Sequence, residues 1–478
     1  MAEADSTTNS KLHIVMFPWL AMGHFIPFLE LSKSLASKGH HISFLSTPRN
    51  IQRLPKLPPN LSPLITLVNL PFPTIENLPK NAQSSTDIPI QKTQLLKRAF
   101  DKLEPHVTKY LENSRTPIDY IIYDYASYWI PPIGAKLNIP CVYFNVFTAA
   151  AISFFGPPSA LINIGDRVTA EAYTTVPKWI PFSSNIVYRL HEVLQYFQGA
   201  PGDDADISDV PDTYRFGVSI RDCEFMAIRS CVEFEPEWIS FLSELDKKSV
   251  IPVGSLHPSV HVSMDEDVDE DERWVSIREW LDKHRVESVI YVALGTEAVL
   301  SESQLNELAL GLERSELPFF WVLRAPPESN VDVLAMLPNG FVDRVKNRGV
   351  VWTSWAPQVK ILGHQSVGGF VTHCGWNSLI EGLGFGIVPL LLPMLNDQGL
   401  NARLVEGKKI GIEIPRNELD GSFTSESVTE SLRVVMVSEE GEVFRKNAKQ
   451  MRDVFGSAIL MDSYLDSFIG YLAAYRSV

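Results

Sequence analysis

From Trp355 to Gln398 the chain sets a dense polar and aromatic group between short apolar runs, and few architectures accept that pattern. The set is Trp355, Gln358, His373, Trp376, Asn377, Ser378, Glu381, Asp397 and Gln398. The runs Gly369 to Thr372 and Ile387 to Leu392 read as buried strands. Polar groups gathered where strands end and helices begin are what an α/β protein presents to a phosphorylated ligand.

The N-terminal end follows the same grammar. Leu12 to Pro18 reads as a buried strand, Trp19 to Phe25 as a loop, and Pro27 as part of a first helical turn. Phe28, Leu31 and Leu35 then recur at helical spacing until Gly39, and HISFLST is a second strand. This order opens a parallel, doubly wound sheet. No GxGxxG follows the first strand, so the dinucleotide fingerprint is missing. Tyr120 to Tyr123 is a further buried strand, ending at Asp124. Residues 156–212 look irregular, with helical pieces around Val187 to Phe197, as expected of a region that shapes a pocket.

A second alternating unit runs from the strand Ser288 to Gly295 through a helix at Ser301 to Arg314, where Ser301 and Gln304 suit a capping box. FFWVLR and VVWTSW are strands, Ile410 to Ile414 is the last strand, and Val428 to Phe455 and the tail after Ser457 are helical. A chain of 478 residues exceeds one core. The expected fold is α/β, two facing doubly wound Rossmann-like domains. Residues 1–250 form the N-terminal domain, 251–275 an acidic linker, 276–455 the C-terminal domain, and 456–478 a helix returning to the N-terminal domain. In the linker, seven of the eight residues from Asp265 to Glu272 are acidic, without the glycine turn of a calcium loop.

The net charge of −15 argues against nucleic acid or an anionic membrane as partner, while leaving room for a small anionic ligand. The four cysteines show neither CxxC nor zinc spacing and read as reduced thiols. The polar, acidic N-terminus is no signal peptide, and no charge-free run is long enough to span a bilayer. A cytoplasmic monomer without membrane insertion is expected.

His24 follows the first strand at the sheet edge where α/β folds bind ligands, and an imidazole can take a proton from a hydroxyl there. On position alone a packing histidine explains it as well, and Asp124 could equally cap a turn. His13, His40 and His41 read as structural.

The segment Trp355 to Gln398 resembles the signature box of plant secondary-product UDP-glycosyltransferases over its full length, without insertion or deletion. Chain length, the loop PWLAMGHF and the domain layout agree with that family. The resemblance implies a GT-B fold, with the N-terminal domain taking the acceptor and the C-terminal domain the UDP-sugar. It implies His24 as general base and Asp124 as the carboxylate that orients and stabilises it. Trp355 would face a uracil ring, Ala356 would bond its edge, and Gln358 and Glu381 would hold the ribose. His373, Trp376, Asn377 and Ser378 form the turn and helix start that would receive the diphosphate, with Thr296 adding a hydroxyl. Asp397 and Gln398 would grip the transferred sugar. The implied reaction is a single displacement with inversion. No metal or other cofactor is implied, and no DxD motif stands where one would bridge the diphosphate.

Three segments (IPFLELSKSLASKGHHISFLSTPRN, ALGTEAVLS and GFGIVPLLLPMLNDQGLNARLVEGKKIGIEI) are similar to the branch that adds sugar to sugar, including rhamnosyltransferases. The expected partners are a UDP-glucose or UDP-rhamnose donor and a flavonoid or terpenoid glycoside. A glucosyltransferase acting directly on an aglycone is the alternative. Glu297 departs from the serine-rich loop usual in the family. An apolar acceptor pocket of Tyr125, Trp129, Phe144, Phe147 and Phe154 argues against a UDP-sugar epimerase, and retention of His24 and Asp124 argues against a mere UDP-sugar sensor.

Overall fold

A computed structural model describes residues 11–163, 167–197, 210–258, 272–324 and 332–476. Among them the chain forms two parallel sheets. The first holds β1 (His13–Phe17), β2 (His41–Ser46), β3 (Ile65–Asn69), β4 (Tyr120–Tyr123), β5 (Cys141–Asn145), β6 (Phe225–Ile228) and β7 (Val250–Pro252), in the order β3-β2-β1-β4-β5-β6-β7. The second holds β8 (Val289–Ala293), β9 (Phe319–Val322), β10 (Gly349–Trp352), β11 (Val367–Thr372), β12 (Val388–Leu391) and β13 (Ile412–Glu413), in the order β10-β9-β8-β11-β12-β13.

Both sheets reverse their winding once, between β1 and β4 and between β8 and β11. Register is tight at these seams: Phe17 lies opposite Tyr123, and Thr372 opposite Ala293. The chain therefore leaves two adjacent strands in opposite directions at each seam, which opens a crevice beyond their carboxyl ends. His24 and Asp124 follow β1 and β4; Thr296 and His373 follow β8 and β11.

Local chemistry explains where sequence expectations hold and where they fail. Ser301 does cap the helix Glu302–Ser315, with Gln304 returning its side chain to the Ser301 N–H. The first helix, by contrast, starts at Met22, so His24 lies in its first turn and not in a loop, and Pro27 lies inside it. Proline has no N–H and leaves the carbonyl four residues earlier unbonded. That carbonyl belongs to Gly23, and the Asn377 side-chain amide of the second domain donates to it at 3.0 Å. The expected helix from Val428 to Phe455 is two, Ser425–Met436 and Glu442–Phe455, broken by a 3-10 turn at Glu439–Gly441. The break lets Gly441 approach so close to the Val434 carbonyl that a Cβ there would lie 1.9 Å from it. The last strand is only Ile412–Glu413.

The acidic run Asp265 to Asp271 lies outside the described residues, and Glu272 opens the helix Glu272–Leu281. The helix Ala458–Arg476 lies against the first sheet: Tyr120 donates its hydroxyl proton to the Leu472 carbonyl at 2.6 Å, and Tyr471 packs edge-on to Phe225. All four cysteines are buried free thiols. No described helix is long and apolar enough to cross a membrane.

Candidate active site

The N-terminal side of the cleft centres on one buried carboxylate. Asp124, fully buried at the end of β4, accepts the Trp19 N–H at 3.0 Å, the Tyr125 N–H at 2.7 Å and the His24 Nδ1–H at 2.7 Å. A carboxylate can only accept, so it fixes the imidazole tautomer with hydrogen on Nδ1 and leaves the Nε2 lone pair free to take a proton. Burial alone pushes the His24 pKa down. The charge and hydrogen bond of Asp124 outweigh it, helped by Glu297 and Asp397, so the pKa stands above 6.5.

An aromatic wall adjoins the imidazole. The His24 ring lies 5.7 Å from Tyr125 and 5.6 Å from Phe147; Tyr125 stacks flat on Phe216 at 4.2 Å, and Phe155 packs on Phe216 at 5.8 Å. This corrects the expected lining. Phe144 and Phe154 are fully buried, the first against Phe28 and the second beneath the Arg167 guanidinium, while Trp129 packs on Phe17 and Phe100. Phe216 and Phe155 take the place of Phe144 and Phe154. Nothing in the sequence signals Phe216, because its helix, Asp212–Asp222, meets Tyr125 only through the fold.

The C-terminal side carries the box. Trp355 is 52% exposed, with the Arg273 guanidinium 5.5 Å from its ring centroid, and its carbonyl accepts the Trp352 indole N–H. Ala356 is buried beside it. Gln358 opens a helix and donates its amide to Glu381 at 2.7 Å and to the Ser378 hydroxyl at 3.2 Å, while its amide oxygen accepts the Tyr291 hydroxyl. Burial raises the Glu381 pKa against the opposing effects of Gln358 and Arg229.

His373 is wedged between two glycines. A Cβ at Gly375 would come within 2.5 Å of its ring, and one at Gly295, whose φ of +77° only glycine adopts freely, within 2.8 Å. Burial pushes its pKa down to about 4, so the ring is neutral at ordinary pH. Its buried Nδ1 has no hydrogen-bond partner among the described residues. Thr296 is exposed next to Gly295. The helix Trp376–Gly384 begins without a side-chain cap, leaving its first N–H groups and dipole available to an anion.

Several box residues reach the other domain instead. The Trp376 indole donates to the Arg229 carbonyl at 2.9 Å and stacks on Phe234. Asn377 bonds to Arg229 and Gly23. Asp397 accepts from Asn401 at 2.8 Å, and Asn401 in turn accepts the Thr148 hydroxyl at 3.1 Å; burial raises the Asp397 pKa. The Gln398 amide oxygen is held by the Met394 and Leu395 N–H groups at 2.9 and 2.8 Å. Glu297 accepts the Ser85 hydroxyl across the cleft at 2.5 Å.

A cavity of about 430 Å³ lined by His13, His41, Ser43 and Tyr110 lies at the opposite, amino-terminal edge of β1 and β2. It is far from the strand ends that carry His24 and Asp124, and the fold places ligands at those ends.

Residues 270–456 match the family described as UDP-glucoronosyl and UDP-glucosyl transferase. The chain is 52% identical to UDP-glycosyltransferase 91C1 of Arabidopsis thaliana over 461 residues, covering 96% of each chain. It is 40% identical to soyasaponin III rhamnosyltransferase of Glycine max, covering 99% of this chain and 98% of that one. The crystal structure of Medicago truncatula UGT71G1 complexed with UDP-glucose superposes with a TM-score of 0.76 at 22% identity, covering 97% of this chain and 99% of that one.

Proposed function

The chain belongs to the plant UDP-glycosyltransferases of the GT-B fold, and from that premise we propose that it adds glucose or rhamnose, with inversion, to a hydroxyl of a plant small-molecule glycoside. The observation that carries this reading is the meeting of two halves. A histidine fixed by a buried carboxylate stands on one side of the cleft, and the residue before it, Gly23, touches Asn377 at the start of the box helix on the other.

The proposed reaction draws on that geometry. Nε2 of His24 takes the proton of the acceptor hydroxyl as the oxygen attacks the anomeric carbon. Asp124 stabilises the imidazolium that forms. The bond from the anomeric carbon to the diphosphate oxygen breaks, and UDP leaves with the electron pair. Its negative charge is met by the uncapped helix start and the side chains of Asn377, Ser378, His373 and Thr296, donors that need no metal ion. Trp355 and Ala356 take the uracil, Gln358 and Glu381 the ribose, and Asp397 and Gln398 the transferred sugar. The aromatic wall of Tyr125 and Phe216, stacked on each other, and Phe147, turned at 71° to Tyr125, suits an apolar ring-bearing acceptor. The similarity to a saponin rhamnosyltransferase supports an acceptor that already carries sugar. We place the enzyme in the cytoplasm as a monomer.

The test supplies UDP-glucose and UDP-rhamnose together with a flavonoid or terpenoid monoglucoside and reads product masses. A hexose or deoxyhexose added to the glycoside supports the reading and names the donor. Turnover of aglycones alone would establish the alternative, glucosyl transfer directly to an aglycone.

A further inference from the structure

One buried cation faces the donor side, and nothing in the reaction above uses it. Arg229 follows β6 at the carboxyl edge of the first sheet and is fully buried. Among the described residues its guanidinium bonds only to uncharged oxygens. Nε donates to the Ser255 carbonyl at 2.8 Å, Nη2 to the Leu256 carbonyl at 3.3 Å, and Nη1 to the side-chain oxygen of Asn377. Its own carbonyl accepts the Trp376 indole N–H. Burial pushes its pKa down to about 10, and the more distant charges of Glu381 and Glu30 hold it up.

Two consequences follow. A guanidinium only donates, so the atom of Asn377 that faces it must be the oxygen, and the amide N–H groups must face away. They face Gly23, the neighbour of His24, across the cleft. A positive charge at the start of a helix is also repelled by the helix dipole. A buried cation in that place, with no carboxylate bonded to it, is compensated best by an anion arriving at the same helix start.

We propose that Arg229 is a positioning residue for the departing diphosphate: it fixes the Asn377 amide with its N–H groups toward the cleft and sets a buried positive charge behind the helix start that receives the phosphates. This rests on the reading of that helix start as the diphosphate site. Arg229 acts through Asn377, which exchanges the Gly23 carbonyl for a phosphate oxygen when the donor enters.

The test compares the affinities of UDP and uridine, which differ only in the diphosphate, for the full-length protein and for R229Q and R229K. R229Q is expected to weaken UDP roughly tenfold, the size of one charge-assisted hydrogen bond, while uridine stays within about twofold. A merely structural role would lower both affinities by the same factor, and that result overturns the proposal. Should R229Q not fold, R229K carries the test. One ammonium cannot hold both linker carbonyls and Asn377 as the fork does, so the preference for UDP is expected to fall about threefold; an unchanged preference overturns the proposal. If the unaltered protein does not prefer UDP to uridine, the diphosphate site itself is misread and the inference falls with it.

Discussion

On the N-terminal side of the cleft, His24 is held by a carboxylate whose other partners, the Trp19 and Tyr125 N–H groups, belong to the same domain. On the C-terminal side the polar groups bond to one another or across the cleft: Gln358 to Glu381, Asn377 to Gly23, Asn401 to Thr148, Glu297 to Ser85. The first arrangement is complete before any substrate arrives. On the proposed reading, the second exchanges partners as the donor binds. Preorganisation is thus concentrated where proton transfer needs a fixed geometry, while the donor side holds its groups in replaceable hydrogen bonds.

This contrast can be broken most severely at the base. His24→Ala is expected to lower transfer about 10²–10⁴-fold with UDP affinity unchanged, because the imidazole hydrogen-bonds to Asp124 and not to the groups assigned to UDP; steady-state rates and UDP titration check both halves. A comparable loss of UDP affinity would show that the two sides are not separable. The donor side should respond in KM. Glu381→Ala removes the carboxylate proposed to hold the ribose hydroxyls and frees Gln358 from its partner. At about 1.5–3 kcal/mol for hydrogen bonds to a charged group, KM for the UDP-sugar should rise at least about tenfold while kcat changes far less. The smallest effect is expected at the seam between the sides. Pro27→Ala restores an N–H that competes with Asn377 for the Gly23 carbonyl. Removing a proline from a helix interior should stabilise the fold by up to about 1 kcal/mol, read as a higher melting temperature, with kcat/KM within about threefold.

The same contrast explains what the sequence made legible. Buried strands announce themselves through short apolar runs, so Tyr120–Tyr123 and the two alternating units could be read directly. The box could be read because its residues lie close together in the chain. The start of the first helix could not, since Ala21 caps it with no side chain and Pro27 suggests a later beginning. Phe216 and Arg229 escaped for another reason. Each acts on residues far away in sequence, Tyr125 and Asn377, and a single aromatic or arginine beside a strand carries no period to mark it. Phe144 and Phe154 misled in the opposite way, because an apolar run next to a site looks the same whether it lines the cleft or fills the core.

The central claim is that Asp124 makes His24 a fixed base, and the pH dependence of kcat/KM tests it most directly. The base works unprotonated, so the rate should fall as pH drops through the His24 pKa, at a value above 6.5 because Asp124 holds it there. Asp124→Asn removes the charge and leaves burial, which acts in the other direction. The acid limb should then move to lower pH while the maximal rate drops with loss of the imposed tautomer. An acid limb below 6.5 in the unaltered protein, or one that does not move in Asp124→Asn, would contradict the account.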